Sequence, residues 1–223
     1  TSQNNSFITL PTDQPRTIAQ NDIDACIWIY NSTFNNDVFP TSQSRNDYKS
    51  AGYVLQDIRI PPNMCVQIRD GYELIMWGGF GEKLIVEEDA CLEILPGGCL
   101  ELVDVELVLD PFAACYVSPT GCLEASKETG CVFVSSHSEF TIKAGGEVVF
   151  NDNGFMIVED GGTVILEDNA KLIFETDAQP FEIRPGAKFK LGKGAEIIVK
   201  GPIDAQGTAQ NPITFESLYK FPT

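Results

Sequence analysis

One periodicity limits what this chain can fold into. From Ala90 onward a small residue returns almost every eight positions: Ala90, Gly98, Ala114, Gly130, Gly146, Gly154, Gly162, Ala170, Ala178, Ala187 and Ala195. The slots at 106, 122 and 138 hold Glu, Cys and Ser, and one inserted residue separates Ala178 from Ala187. The positions two and four residues after each marker are mostly apolar, as in Leu92/Ile94, Leu100/Leu102, Val148/Phe150, Val164/Leu166 and Phe189/Leu191. Alternation over four residues followed by a polar or glycine turn describes a short strand and a corner. Sandwich strands are longer and their loops more variable. A fixed short period across more than a hundred residues describes a β-solenoid.

Three octads make a triangular coil of about 24 residues, so residues 24 apart stack. Leu92, Tyr116, Phe140 and Val164 then form one inward ladder that continues to Phe189, and Phe150 stacks on Phe174. Between Asp110 and Thr129 the pattern puts Asp110, Ser118, Glu124 and Ser126 inward, which costs too much for unpaired polar groups. A one-residue slip near Pro119-Thr120-Gly121 turns Leu123 and Ala125 inward instead. The fold expected is all-β: a right-handed parallel β-helix, the hand that parallel crossovers take. It has about seven coils over residues 53–223, preceded by a polar arm, residues 1–52.

The run Gly194-Ala195-Glu196-Ile197-Ile198-Val199-Lys200-Gly201-Pro202-Ile203-Asp204-Ala205-Gln206-Gly207-Thr208, followed by Asn211-Pro212-Ile213-Thr214-Phe215, carries a likeness. It resembles the coil motif of bacterial secreted and cell-surface right-handed parallel β-helix proteins, G-A-x-I-x-V-x-G-x-I-x-A-x-G-T leading into P-I-x-F. The likeness covers residues 145–217 well and 58–144 by period alone. It implies the fold and an extracellular or cell-surface setting, and it names no activity.

Composition excludes several partners. The 223 residues carry 32 Asp and Glu against 15 Lys and Arg, a net charge of −17. Phosphate backbones and anionic lipid surfaces are bound through Lys/Arg clusters, so neither nucleic acid nor such a membrane is an expected partner. No apolar run approaches the ~20 residues of a spanning helix. The chain starts at Thr1 without a leader-like segment, which reads as a mature chain.

Seven cysteines, none in a CxxC, are the usage of an oxidising compartment. Cys91 and Cys115 are 24 apart, and Cys99 and Cys122 are 23 apart, so each pair stacks in adjacent coils once the slip is allowed. Strands ~4.8 Å apart lie within disulfide range. These are disulfide candidates, and the alternative is a set of small buried thiols. Cys26, Cys65 and Cys131 are left over, and an odd count allows one of them to bridge two subunits.

Asp104, Glu128 and Asp152, 24 apart, fall on one corner. Stacked carboxylates are candidate calcium ligands, or else a solvated acidic turn, and no cofactor is expected. Trp28, Tyr72, Trp77 and Phe80 are a candidate sugar platform, or else a cover for one end of the core. No enzyme is expected: the octads between 130 and 200 leave no long insertions to frame a cleft. The single histidine, His137, leaves little room for histidine-based chemistry.

A solenoid has two open ends, and the apolar Ile213–Phe221 segment contains no amphipathic helix to cap one. The function expected is therefore an extracellular structural protein, a subunit that stacks head to tail on copies of itself into a surface fibre, with the arm touching a neighbour. The alternative is a secreted carbohydrate-binding or polysaccharide-degrading β-helix.

Overall fold

A computed structural model describes residues 16–18, 48–53, 57–68, 72–127 and 129–219. Its strands stack as a β-solenoid of about 6 turns with about 25 residues per turn, and the described residues contain no helix. All described strand pairs are parallel between successive coils, with a register shift between Trp77 and Glu82 where the two longest strands pair.

Three faces wrap the core. Face one stacks Arg16–Ile18, Cys65–Ile68, Cys91–Ile94, Ala114–Val117, Glu139–Ile142, Thr163–Leu166, Lys188–Leu191 and Thr214–Ser217. Face two ends in Cys122–Ser126, Glu147–Phe150, Lys171–Phe174 and Glu196–Val199, and face three in Cys131–Val134, Phe155–Val158, Phe181–Ile183 and Ile203–Ala205. Faces two and three are joined by two long strands, Tyr72–Val86 and Cys99–Leu109, which run round the corner between them. Tyr48–Tyr53 pairs with the first of these and Arg16–Ile18 with Cys65–Ile68, so pairing reaches into the segment read from sequence as a separate arm. The remainder of that segment, with Cys26 and Trp28, lies outside the described residues.

The octad has a physical cause at the corners. Where a coil keeps the period, the corner is a four-residue turn in which the N–H of the small residue donates to the carbonyl three residues back, as in Gly98 to Leu95 (2.9 Å), Gly146 to Lys143 (2.8 Å) and Ala170 to Glu167 (3.1 Å). The third residue of the turn has positive φ, the region Gly, Asn and Asp tolerate. Gly97, Gly145, Asn169 and Gly194 hold that place at the corner between faces one and two. Its N–H then donates to the next coil, as in Gly145 to Asp168 (2.9 Å) and Asn169 to Lys193 (2.9 Å). The corners are thereby hydrogen-bonded along the axis as the strands are.

Only two of the three corners keep the period. Between faces one and two, and between three and one, the inward residues of successive strands are six apart until the last coil (Ile94 to Leu100, Val117 to Leu123, Leu109 to Cys115, Val158 to Val164). The corner between faces two and three takes up all the variation through residue 203. Met76 to Leu84 spans eight residues, Leu102 to Leu107 five, Ala125 to Val132 seven and Phe150 to Met156 six.

This corrects the expected slip. One residue is lost at Asp104, where the strand turns through a single residue of positive φ (56°), and one is regained at Lys127–Gly130. The register between is therefore Leu92, Cys115, Phe140, Val164, and Tyr116 points outward. The small marker is Ala113 rather than Ala114, its N–H donating to Asp110 at 2.9 Å.

The core is a set of like-on-like ladders. Phe150, Phe174, Phe181 and Phe189 are fully buried, with ring centroids 4.8, 4.2 and 6.1 Å apart in that order. Burial of each ring stabilises by roughly 1.5–3 kcal/mol, and each aromatic contact adds about 0.5–1.5 kcal/mol. Phe215 continues the ladder 4.8 Å beyond Phe189, yet it is 58% exposed.

Candidate functional site

The outward first residue of a strand is where this chain places its bridging cysteines. Cys65 faces Cys91 across face one, with Cα atoms 4.4 Å apart, and the two form a disulfide. Cys99 and Cys122, 4.6 Å apart, form a second on face two. The second pair is one of those the spacing nominates. The first corrects the Cys91–Cys115 pairing: in the actual register Ala114 lies opposite Cys91, and Cys115 turns inward between Leu92 and Phe140. Cys65 is thus bridged within the chain and offers no thiol to a neighbouring subunit.

Cys115 and Cys131 are free and fully buried. Burial pushes both thiols well above the usual range, in Cys131 with help from the Glu106 carboxylate. A nucleophilic or metal-binding cysteine needs its thiolate, so neither supplies one. Cys131 lies between Glu106 and Phe155 in the ladder and presents no exposed sulfur for a bridge between subunits.

The acidic column falls at the variable corner. The Lys127 ammonium forms an ion pair with the Asp152 carboxylate, and it also feels Asp104, so its pKa is raised. The Asp104 carboxylate accepts from the Thr129 N–H at 3.3 Å. A lysine and a backbone amide thus hold the groups proposed as calcium ligands, while Glu128 lies outside the described residues. Asp168, on another corner, accepts from the Lys193 N–H at 2.7 Å and the Tyr219 hydroxyl at 2.9 Å. Among the described residues the one group of three metal-ligating side chains is Cys65, Cys91 and Glu93. Its two sulfurs are joined to each other, which removes the thiolates a metal needs.

Of the four aromatic candidates, Trp77 alone has a described side chain. Trp77 is half-buried in the ladder between Tyr53 and Val103. The side chains of Tyr72 and Phe80, like Trp28, lie outside the described residues.

An aromatic site that the sequence reading missed sits at the corner between faces three and one. Phe112 is 55% exposed at φ 66°, in the turn Asp110-Pro111-Phe112-Ala113. A bulky residue in the left-handed region is an outlier that costs about 1–2 kcal/mol. Its ring stacks on His137, which holds the same turn position one coil on (φ 64°), with centroids 5.3 Å apart. Ser136 Oγ lies 2.8 Å from His137 Nδ1. The signal available in the sequence was Pro111-Phe112, a turn dipeptide with a bulky apolar ring where other coils carry Asn63, Asp89, His137, Gly161 and Gly186.

The coil of residues 196–217 is paired along one edge. Glu196–Val199, Ile203–Ala205 and Thr214–Ser217 each bond to the preceding coil, and Ile203 is 54% exposed. Comparison of the chain with protein-family models, with curated proteins and with solved structures found no match. The two disulfides indicate an oxidising, extracellular setting, and no described helix is long and apolar enough to cross a membrane.

Proposed function

We propose that this protein is an extracellular structural subunit that stacks head to tail on copies of itself into a surface fibre and performs no catalysis. The observation that carries the reading is the coil of residues 196–217. Among the described residues three strand edges, one on each face, have no partner strand, beside the exposed Ile203 and Phe215. Unpaired parallel edges over an exposed core layer are a template for the next coil, and a second copy translated along the axis supplies one. That contact is heterologous and repeats without closing, which makes a filament.

The charge distribution favours axial over lateral association. Residues 61–170 hold 20 Asp and Glu against 4 Lys and Arg, whereas residues 171–223 hold 6 against 7. Solenoid walls so charged repel one another sideways, while the C-terminal segment 171–223, which includes the coil that would enter the joint, is close to neutral. Sedimentation of the native chain against Phe215→Asp over a hundredfold concentration range tests the reading. Concentration-dependent growth that the substitution abolishes is expected. A native chain that stays monomeric throughout overturns it.

A further inference from the structure

We propose that the corner between faces three and one is a binding site for a neutral oligosaccharide, with Phe112 and His137 as its stacking ledge. This stands on side-chain chemistry on the outer wall and does not rest on fibre formation.

The backbone at Phe112 is strained. The turn position of Phe112 is filled in neighbouring coils by Asp89, His137, Gly161 and Gly186, and Phe112 is the one bulky hydrophobic residue there. The fold gains little from the ring, which is more than half exposed, and the backbone is strained to carry it. An exposed aromatic face held against a second ring is what a sugar's C–H face stacks on.

Polar groups follow along the same corner. One coil beyond Phe112, the His137 and Ser136 side chains are paired at 2.8 Å, with the imidazole exposed. One coil further, Gly161 packs close against them: a Cβ there would come within 3.1 Å of Ser136 Oγ and 4.0 Å of His137 Cε1. The carboxylate of Asp160, beside Gly161 in the chain, and the Asn211 amide converge over Gly186 in the coil beyond, a side-chain amide atom 2.6 Å from the place its Cβ would occupy. An aromatic ledge, a glycine that places no side chain over the Ser136–His137 pair, then a carboxylate and an amide extend over three coil steps, roughly 14 Å. That spans several pyranose rings and offers both hydrogen-bond donors and acceptors to hydroxyls.

Two features define the ligand. The ledge is far smaller than the ~800 Å² per partner that a stable protein interface needs. Asp89 and Asp160 beside it, in the strongly acidic middle of the chain, repel a uronate or sulfated chain, which leaves a neutral glycan.

The test is titration calorimetry of the whole chain with cellohexaose, with chitohexaose and with hexagalacturonate, repeated on Phe112→Gly and Asp160→Ala. At least one neutral hexasaccharide is expected to bind, and the anionic one not to. Phe112→Gly is expected to weaken binding about tenfold or more while the melting temperature holds or rises, because glycine relieves the left-handed backbone. Asp160→Ala is expected to weaken it less. No binding of either neutral sugar, preference for the uronate, binding unchanged in Phe112→Gly, or a lowered melting temperature in that variant would each overturn the proposal. The last result would make the ring a structural cover for the corner.

Discussion

Gly154→Ala tests why this coil needs glycine where others carry alanine. A Cβ at Gly154 would lie 2.0 Å from the carbonyl oxygen of Ala125 and 2.6 Å from its carbon, closer than real Cβ contacts come. Ala125 belongs to the preceding coil, and its carbonyl accepts from Asn151 at 3.2 Å. The overlap cannot be relieved by a side-chain rotation, because both parties are backbone. The corner must move outward by about 1 Å, which loosens that hydrogen bond and the packing of Phe150. Overpacking costs about 1–3 kcal/mol and a loosened hydrogen bond about 1 kcal/mol, so roughly 3 kcal/mol is expected. For a chain of this size that lowers the melting temperature by about 6–12 °C. Gly145→Ala is the control. Its φ of 74° is unfavourable for alanine, but nothing lies within 4 Å, so only about 1 kcal/mol is at stake. Circular dichroism melts of the two variants provide the comparison. Equal melting temperatures would refute the reading that the close approach of Ala125 requires glycine at position 154.

Four further outcomes follow from the same geometry. Phe150→Ala removes a fully buried ring stacked at 4.8 Å on Phe174 and is expected to cost about 3–5 kcal/mol, read by urea denaturation. Opening the Cys99–Cys122 bridge, which closes a 23-residue span, is expected to cost about 3 kcal/mol in the Cys99→Ser/Cys122→Ser double variant. Cys115 and Cys131 are expected to resist alkylation in the native protein and to react once it is unfolded, as followed by mass spectrometry; rapid native labelling of Cys115 would place it outside the core. Burial is the main cause holding the Asp110 carboxyl above its ordinary pKa, so its ionised form opposes folding. That penalty is absent below the unfolded pKa and grows as pH rises through the folded one. Asp110→Asn is therefore expected to be stabilising at pH 7 and neutral at pH 3.

The fold was legible because two corners of the triangle keep six residues between inward side chains, and a strict period survives any uncertainty about single residues. The third corner was not legible. Its length is set by how the chain turns between faces two and three, and neither the single left-handed residue at Asp104 nor the wider turn at Gly78–Gly81 has a fixed sequence form. The misplaced slip followed from that, and with it Tyr116 in the core and Cys91 opposite Cys115. The Cys99–Cys122 pair was readable because its 23-residue spacing fits a coil one residue short. Cys65–Cys91 is 26 apart, a separation that a 24-residue coil hides. Phe112 went unremarked because periodicity identifies what faces inward and is silent on why an outward turn position carries an aromatic.

The most direct test of the account is electron microscopy of the purified native chain at neutral pH and low salt, with diffraction from aligned material. The account predicts unbranched filaments one solenoid wide with a meridional reflection near 4.8 Å, the spacing of stacked coils. None of the six described cysteines offers a thiol to the joint, because Cys65 and Cys91 bridge within the chain, as do Cys99 and Cys122, and because Cys115 and Cys131 are buried, so a reduction-sensitive joint would fall to Cys26. Compact single particles at every concentration would contradict head-to-tail assembly, and fibres that dissolve on reduction would place a cysteine at the joint.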